Sequence, residues 1–181
     1  MNENGRQQSA DLAHQIDGID AVYSSDSERA YETALILAER HGLQVVTDAR
    51  LREVNFGKWE GLTRAQINER FGGAFTKWLT GESSTPSGGE ADEAMAERVL
   101  TALAAICEHH PDGRVLVVTS GGPIRAVEAR LRGIEQAIAR QVVETVPNCS
   151  LVELVVRDGK WSSEGDIANP SSRPALARGA R

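Results

Sequence analysis

Apolar positions along the chain alternate between helical repeats and short β-branched runs. Ala10, Leu12, Ala13 and Ile16 recur at helical spacing over residues 4–16, and Asp17-Gly18 ends that helix. Ile19 to Tyr23 reads as a strand. Ser25-Asp-Ser-Glu28 has the spacing of a capping box, predicting a helix through Ala30, Ala34, Leu35 and Ala38 to Gly42. Leu43 to Thr47 reads as a second strand of parallel type. Thr63-Arg-Ala-Gln66 opens another helix that closes near Gly72-Gly73, followed by a short apolar piece with Phe75, Trp78 and Leu79. Gly81 to Gly89 is a Gly/Ser/Pro stretch, too short for a linker and placed as a surface loop near a site. Met95, Val99, Leu103 and Ile106 then step along one face of a long helix, which Pro111-Asp-Gly113 separates from the run beginning at Val115. That run is a buried strand feeding a helix. Helical stretches continue to about Val143, Cys149 to Val156 forms a strand, and Asp158-Gly159 marks a hairpin turn. Strands alternating with helices imply an α/β three-layer sandwich with a largely parallel sheet, in a single domain over residues 1–162. From Ser163 the chain is polar, proline-bearing and basic at its end, which predicts a disordered tail over 163–181.

Composition narrows the possible partners. With 20 Lys and Arg against 26 Asp and Glu the net charge is −6, which disfavours nucleic acid or an anionic membrane surface. No apolar stretch approaches the ~20 residues of a membrane span, and the polar opening MNENGRQQS is not a signal peptide. Cys107 and Cys149 fit no metal or redox spacing, so a reducing cytosol is the expected compartment, with no metal and no cofactor required. Any anion site must therefore be a local focus of positive charge.

The stretch VLVVTSGGPIR, Val115 to Arg125, is the natural place for one. A strand that stops at Gly121-Gly122 before a helix aims free backbone N–H groups and the positive end of the helix dipole at one spot. Phosphate is the first ligand to consider; a plain tight turn is the alternative. Arg29, just beyond another strand end and in the first turn of its helix, opposes the helix dipole unless an anion lies nearby. Glu53 has Arg50, Arg52 and Lys58 as possible surface partners, and Phe56 and Trp59 read as packing residues. Ser120 also invites a nucleophile-elbow reading, but Val118 stands where that signature needs its first glycine. A nucleotide-binding α/β domain is a further reading, without a G-x-G-x-x-G or P-loop pattern to support it.

Four blocks in order, SSDSERAYETA (Ser24 to Ala34), LREVNFGKWEGLT (Leu51 to Thr63), PSGGE (Pro86 to Glu90) and VLVVTSGGPIR, resemble the histidine phosphatase superfamily, best known for the phosphoglycerate mutases. The resemblance covers roughly residues 2 to 160 and is closer to the phosphatase branch. It implies a three-layer α/β domain that cleaves or moves phosphate through a phosphohistidine, read here as a phosphatase of a small phosphorylated metabolite, with a phosphoglycerate mutase as the alternative. On it Arg29 matches the phosphate-binding arginine and Glu53 the acid that protonates the leaving oxygen. Ser120 and Gly121 fall at the phosphate site, Ser120 standing where relatives carry a second histidine.

Relatives open with a strand ending in Arg-His-Gly, which supplies the nucleophile, and these 181 residues contain no such segment. Met1 to Arg6 falls in register with a point some twenty residues beyond it, so the chain is expected to start late, with its first strand missing. His14, His41, His109 and His110 lie in or at the ends of helical patterns and do not substitute. Two readings stand: a phosphomonoester hydrolase by lineage, and a pseudoenzyme that binds a phosphorylated ligand or a partner. Neither the substrate nor the oligomeric state is legible.

Overall fold

The computed structural model describes residues 1–168 apart from Ser84, Glu144, Thr145 and Asp158. Three short strands, β1 (Ala21–Ser24), β2 (Val45–Thr47) and β3 (Val115–Val118), pair in parallel in the order β2-β1-β3. Val22 faces Val45 on one side and Leu116 on the other, so the carboxyl ends Ser24, Thr47 and Val118 lie in line. Two further backbone bonds extend that edge: Ser25 N donates to Val118 O (3.0 Å) and Asp48 N to Ser24 O (2.9 Å).

Side chains alternate across the sheet, as the strand period of two requires. Val22 and Val118 pack with Leu12, Ala13, Ile16, Ala34 and Leu37 of α1 (Glu3–Ala13), its following turn and α2 (Glu28–Glu39). Tyr23, Val115 and Val117 face the other way, onto Leu51 and onto Ala102 and Ile106 of α5 (Asp92–His109). Helices thus cover both faces, giving the three-layer α/β arrangement. Beyond α5, a second core joins Met95 and Val99 to Ala126 and Val127 of α6 (Gly121–Leu131) and to Trp59 and Trp78. Burying one such Val, Leu or Met contributes about 1.5–3 kcal/mol. The aromatic part of this core is tightly interlocked: Phe56 and Trp78 meet edge to face at 5.5 Å, and Trp59 and Trp78 at 6.1 Å. Trp59 and Phe56 are packing residues, as their sequence setting suggests, although Phe56 also reaches the cavity described below.

Local signals were realised unevenly. Thr63 and Gln66 form a full capping box at the start of α3 (Arg64–Arg70), which leads through Gly72-Gly73 into α4 (Ala74–Leu79). The Ser25–Glu28 box does not form. Helix α2 starts at Glu28 with Ser27 as its N-cap and no side-chain cap bond, because Ser25 is held in the sheet extension and its hydroxyl pairs with that of Ser27 (2.8 Å). The first helix ends at Ala13, short of Ile16, and β1 and β2 each start two residues later than the apolar pattern suggests.

The chain after α6 needs a larger correction. Beyond α7 (Ala139–Val142), β4 (Leu151–Arg157) and β5 (Lys160–Ala168) form an antiparallel pair as a separate two-stranded sheet. The disordered tail expected from Ser163 therefore begins too early. Polarity misled there: β5 pairs Ser163 with Leu154 and Glu164 with Glu153, and the Ser163 hydroxyl donates to the buried Glu128 carboxylate of α6 (2.7 Å). Residues 169–181 lie outside the described part, as does Asp158 of the expected turn. Among the described residues no helix is long and apolar enough to cross a membrane.

Side chains of β3 and β4 contribute to the same two cores, yet no backbone ladder joins the two strands. Among the described residues, the edge of β3 away from β1 and the edge of β4 away from β5 are unpaired, and such edges template further pairing. We expect the 181-residue chain to associate with rising concentration in sedimentation velocity; a single monomeric species throughout would show that these edges are covered.

Candidate active site at the carboxyl ends of the strands

The carboxyl ends of the parallel strands are where an α/β sheet binds ligands, because loops and helix N-termini converge there. The segment after β2 is delivered to that edge by Asp48, whose carboxylate accepts from Arg50 N (2.8 Å) to start a single helical turn over Ala49–Leu51. Leu51 is fully buried, and its carbonyl accepts from the Thr119 hydroxyl (2.6 Å) just beyond β3. Two of the three surface partners that sequence offered to Glu53 are engaged elsewhere. Arg50 pairs with Asp48, lowering that carboxyl's pKa mainly through its hydrogen bonds, and Arg52 pairs with Asp26 with the same effect.

Glu53 turns inward instead. Its carboxylate accepts from Val54 N (2.8 Å) and from Gly122 N (3.1 Å), in the first turn of α6. A helix N-terminus favours an anion, and here part of that role falls to a side chain of the protein itself. The expectation that the Gly-Gly turn keeps its donors for phosphate is modified accordingly. Gly122 is essential to this approach: a Cβ there would overlap Glu53 Oε1 and stand 2.8 Å from Cδ.

Arg98 of α5 fixes the Glu53 segment from below. Its guanidinium donates to the carbonyls of Arg50 (2.7 Å), Arg52 (2.8 Å) and Glu53 (2.9 Å), and forks onto both carboxylate oxygens of Glu90 (2.6 and 2.8 Å). Glu90 closes the PSGGE loop, which locks onto the same segment through Lys58 N to Ser87 O (3.0 Å) and Glu90 N to Asn55 O (2.8 Å). The backbones touch: Gly57 adopts φ +56°, and a Cβ on Gly89 would stand 3.0 Å from Phe56 C. Two of the four sequence blocks are thus one interlocked unit around Arg98.

A cavity of about 200 Å³ opens beside this unit, lined by Glu53, Gly121 and Gly122, by Phe56, Trp78 and Met95, and by Asp92, Arg125 and Arg140. Arg140 and Asp92 form a nearly buried ion pair, with the Arg140 guanidinium stacked 3.6 Å over the Trp78 ring and bonded to Trp78 O (3.0 Å). Burial pushes the Asp92 pKa up against the pull of Arg140, and pushes that of Arg140 down. Arg125 is different. Among the described residues no carboxylate pairs with it, and its buried Nε has no partner.

Glu53 and Gly121 therefore come together. Ser120 sits one residue before α6 as its N-cap, with no side-chain cap bond. Arg29 is exposed in the first turn of α2, four residues past the Ser25–Val118 bond, and does not line the cavity. The histidines are remote: the His14 ring meets Arg40, His109 meets Ala105 O, and His110 meets the Tyr23 hydroxyl (3.1 Å) where α5 runs toward the amino end of β3. Arg98, Asp92, Arg125 and Arg140 did not stand out in the sequence. Arg98 lies three residues after Met95 and beside Val99, on the buried side of α5, and Arg125 follows Gly121 and Gly122 by four and three residues, on their helix face. A charge on an apolar stripe was the available signal.

The sequence profile described as histidine phosphatase superfamily (branch 1) matches residues 1–165, and the chain belongs to that family. Among its relatives it is 34% identical over 178 residues to phosphoglycerate mutase-like protein 4 of Arabidopsis thaliana, covering 93% of this chain and 75% of the relative. It is 32% identical over 187 residues to the metal-independent phosphoserine phosphatase of the same plant, covering 99% and 76%. The mycobacterial glucosyl-3-phosphoglycerate phosphatase, solved with inorganic phosphate, superposes with a TM-score of 0.84 at 31% identity, covering 96% of this chain and 89% of that one.

Arg98→Met removes three carbonyl partners and leaves Glu90 unpaired, so chemical denaturation should show a loss of about 2–4 kcal/mol, a sum of charged hydrogen bonds moderated by partial exposure. Gly122→Ala should leave the midpoint nearly unchanged, because the atoms it displaces end a flexible side chain. A loss as large as that of Arg98→Met would mean that the backbone, and not Glu53, yields.

Proposed function

We propose that this chain is a phosphomonoester hydrolase acting on a small phosphorylated metabolite, with Glu53 giving the proton to the leaving oxygen. Gly121, Ser120 and Arg29 contribute to phosphate binding. The observation that carries this is Glu53, drawn off the surface and held against Gly122 N–H just beyond the end of β3, beside a cavity that admits a leaving group. Phosphoryl transfer demands charge on the equatorial oxygens, an in-line nucleophile and a proton for the leaving group. Arg29 offers bidentate positive charge, and Ser120 one neutral hydrogen bond where relatives offer a charged one. Losing one such stabilising contact typically costs about 3–4 kcal/mol of barrier, which slows a reaction without abolishing it.

A second reading is supported by His14, His109 and His110, whose rings bond away from the site. It makes the chain a binder of phosphorylated ligands without turnover. A panel of phosphoesters decides between them: release of phosphate supports the hydrolase, binding without release supports the second reading, and neither result removes both. In an active preparation Glu53→Gln should slow sugar phosphates far more than p-nitrophenyl phosphate, whose leaving group needs little protonation. Equal slowing of both would make Glu53 a packing residue. By calorimetry, Arg29→Ala should weaken inorganic phosphate binding by about 1.5–3 kcal/mol. Arg64→Ala, which removes a guanidinium 5.4 Å from the Phe75 ring, should leave it unchanged. Equal effects would mean that phosphate meets the general surface.

A further inference from the structure

Away from the cavity, the backbone of β3 carries donors and acceptors that the described residues leave unused. Along a strand the N–H and C=O groups of successive residues point to alternate sides. Val118 O accepts from Ser25 N (3.0 Å) and Arg114 O from Asp20 N (2.9 Å), so Arg114, Leu116 and Val118 face β1. Val115 and Val117 therefore turn their N–H and C=O groups the other way, and among the described residues nothing bonds to them there. Helices cover β3 on both faces, yet Val115, Leu116 and Val117 are only half-buried, so their exposure comes from that open edge.

The space beside that edge has a floor and a roof. On one face Leu116 and Val118 of β3 and Leu151 of β4 pack on the same cluster of α1 and α2. On the other, Val117 of β3 and Leu154 of β4 pack on the cluster built by α5 and α6. Arg114 and Glu153 reach across from the two strands and meet only by their side-chain ends, at 3.8 Å. Two edges that share both cores but no ladder leave room for one strand between them. We infer that this slot binds a single extended polypeptide segment, paired with the Val115 and Val117 backbone on one side and with β4 on the other. Both faces of that segment are covered, so it is a run of about four consecutive aliphatic, β-branched residues, the length of β3 itself. Backbone hydrogen bonds hold it, and the two apolar cores select it. An alternating apolar and charged strand is rejected, because every second side chain would bury a charge against one of those cores.

The test titrates the 181-residue chain into a fluorescein-labelled peptide with the run Ile-Val-Val-Val between lysine pairs, read by anisotropy. The peptide should bind, raise the thermal midpoint of the chain and reduce its self-association in sedimentation velocity. N-methylating either alternate pair of its residues removes the donors to one edge and should weaken binding about tenfold or more. A peptide with lysine at alternate positions of the run should not bind. Val117→Pro deletes a donor that β1 does not use and should weaken the parent peptide to a similar extent. Thr47→Pro acts on the outer edge of β2, since Asp48 N donates inward to Ser24 O, and should leave binding unchanged. Circular dichroism reports whether each variant is folded, and the N-methylated peptides decide the matter on the parent chain alone. Absence of binding, binding indifferent to N-methylation, or equal losses in the two proline variants would overturn the inference. Self-association that the peptide leaves unchanged would give the slot to a second copy of the chain and overturn it as well.

Discussion

The guanidinium of Arg98 ties together parts of the chain that no regular secondary structure connects. The segment from Arg50 to Glu53 has left the sheet and entered no helix longer than a turn, so its carbonyls need partners from outside. One planar donor group satisfies three of them and spends its remaining capacity on Glu90, which anchors the PSGGE loop. Only arginine has a fork rigid and wide enough to serve carbonyls and a carboxylate at once. The orientation of Glu53 follows from that anchoring: with its own carbonyl held by α5, its side chain is directed at α6 and not at Arg50 or Arg52 before it.

That direction is completed by an absence of atoms. At Gly122 the missing side chain is the space that the Glu53 carboxylate occupies, and the backbone φ there is ordinary. The helix that begins at Gly121 supplies both a donor and a favourable field to the acid, at the point where β3 delivers the chain. The carboxylate is carried on a loop, and that loop is in turn fixed by α5 through Arg98 and by α6 through Gly122.

The neighbouring cavity repeats the theme of charge placed within apolar walls. Arg140 and Asp92 are nearly buried, and an ion pair there is only sustained because Trp78 stacks on the guanidinium and offers its carbonyl. The pair braces the wall formed by Trp78, which in turn packs on Phe56, Phe75 and Trp59. The aromatic core and the polar cavity are thus two sides of one assembly, and a change on either side reaches the other.

Periodicity and spacing determined the order of most helices and strands, the parallel type of β1, β2 and β3 and the Thr63–Gln66 cap, while the resemblance of four blocks carried the family. These are local properties: an apolar stripe or a cap is written within a few residues. What depended on distant partners was read less well. Ser25 looked like a helix cap, but a bond to Val118, far along the chain, claims it for the sheet. Residues from Ser163 looked like tail because their polarity is visible and their β4 partner is not. Glu53 had three adjacent cations in sequence and pairs with none of them, since which way a side chain turns is set by the elements packed beside it. Arg98, Asp92, Arg125 and Arg140 come from three helices, and only the tertiary packing of α5, α6 and α7 against the Glu53 loop makes them one site.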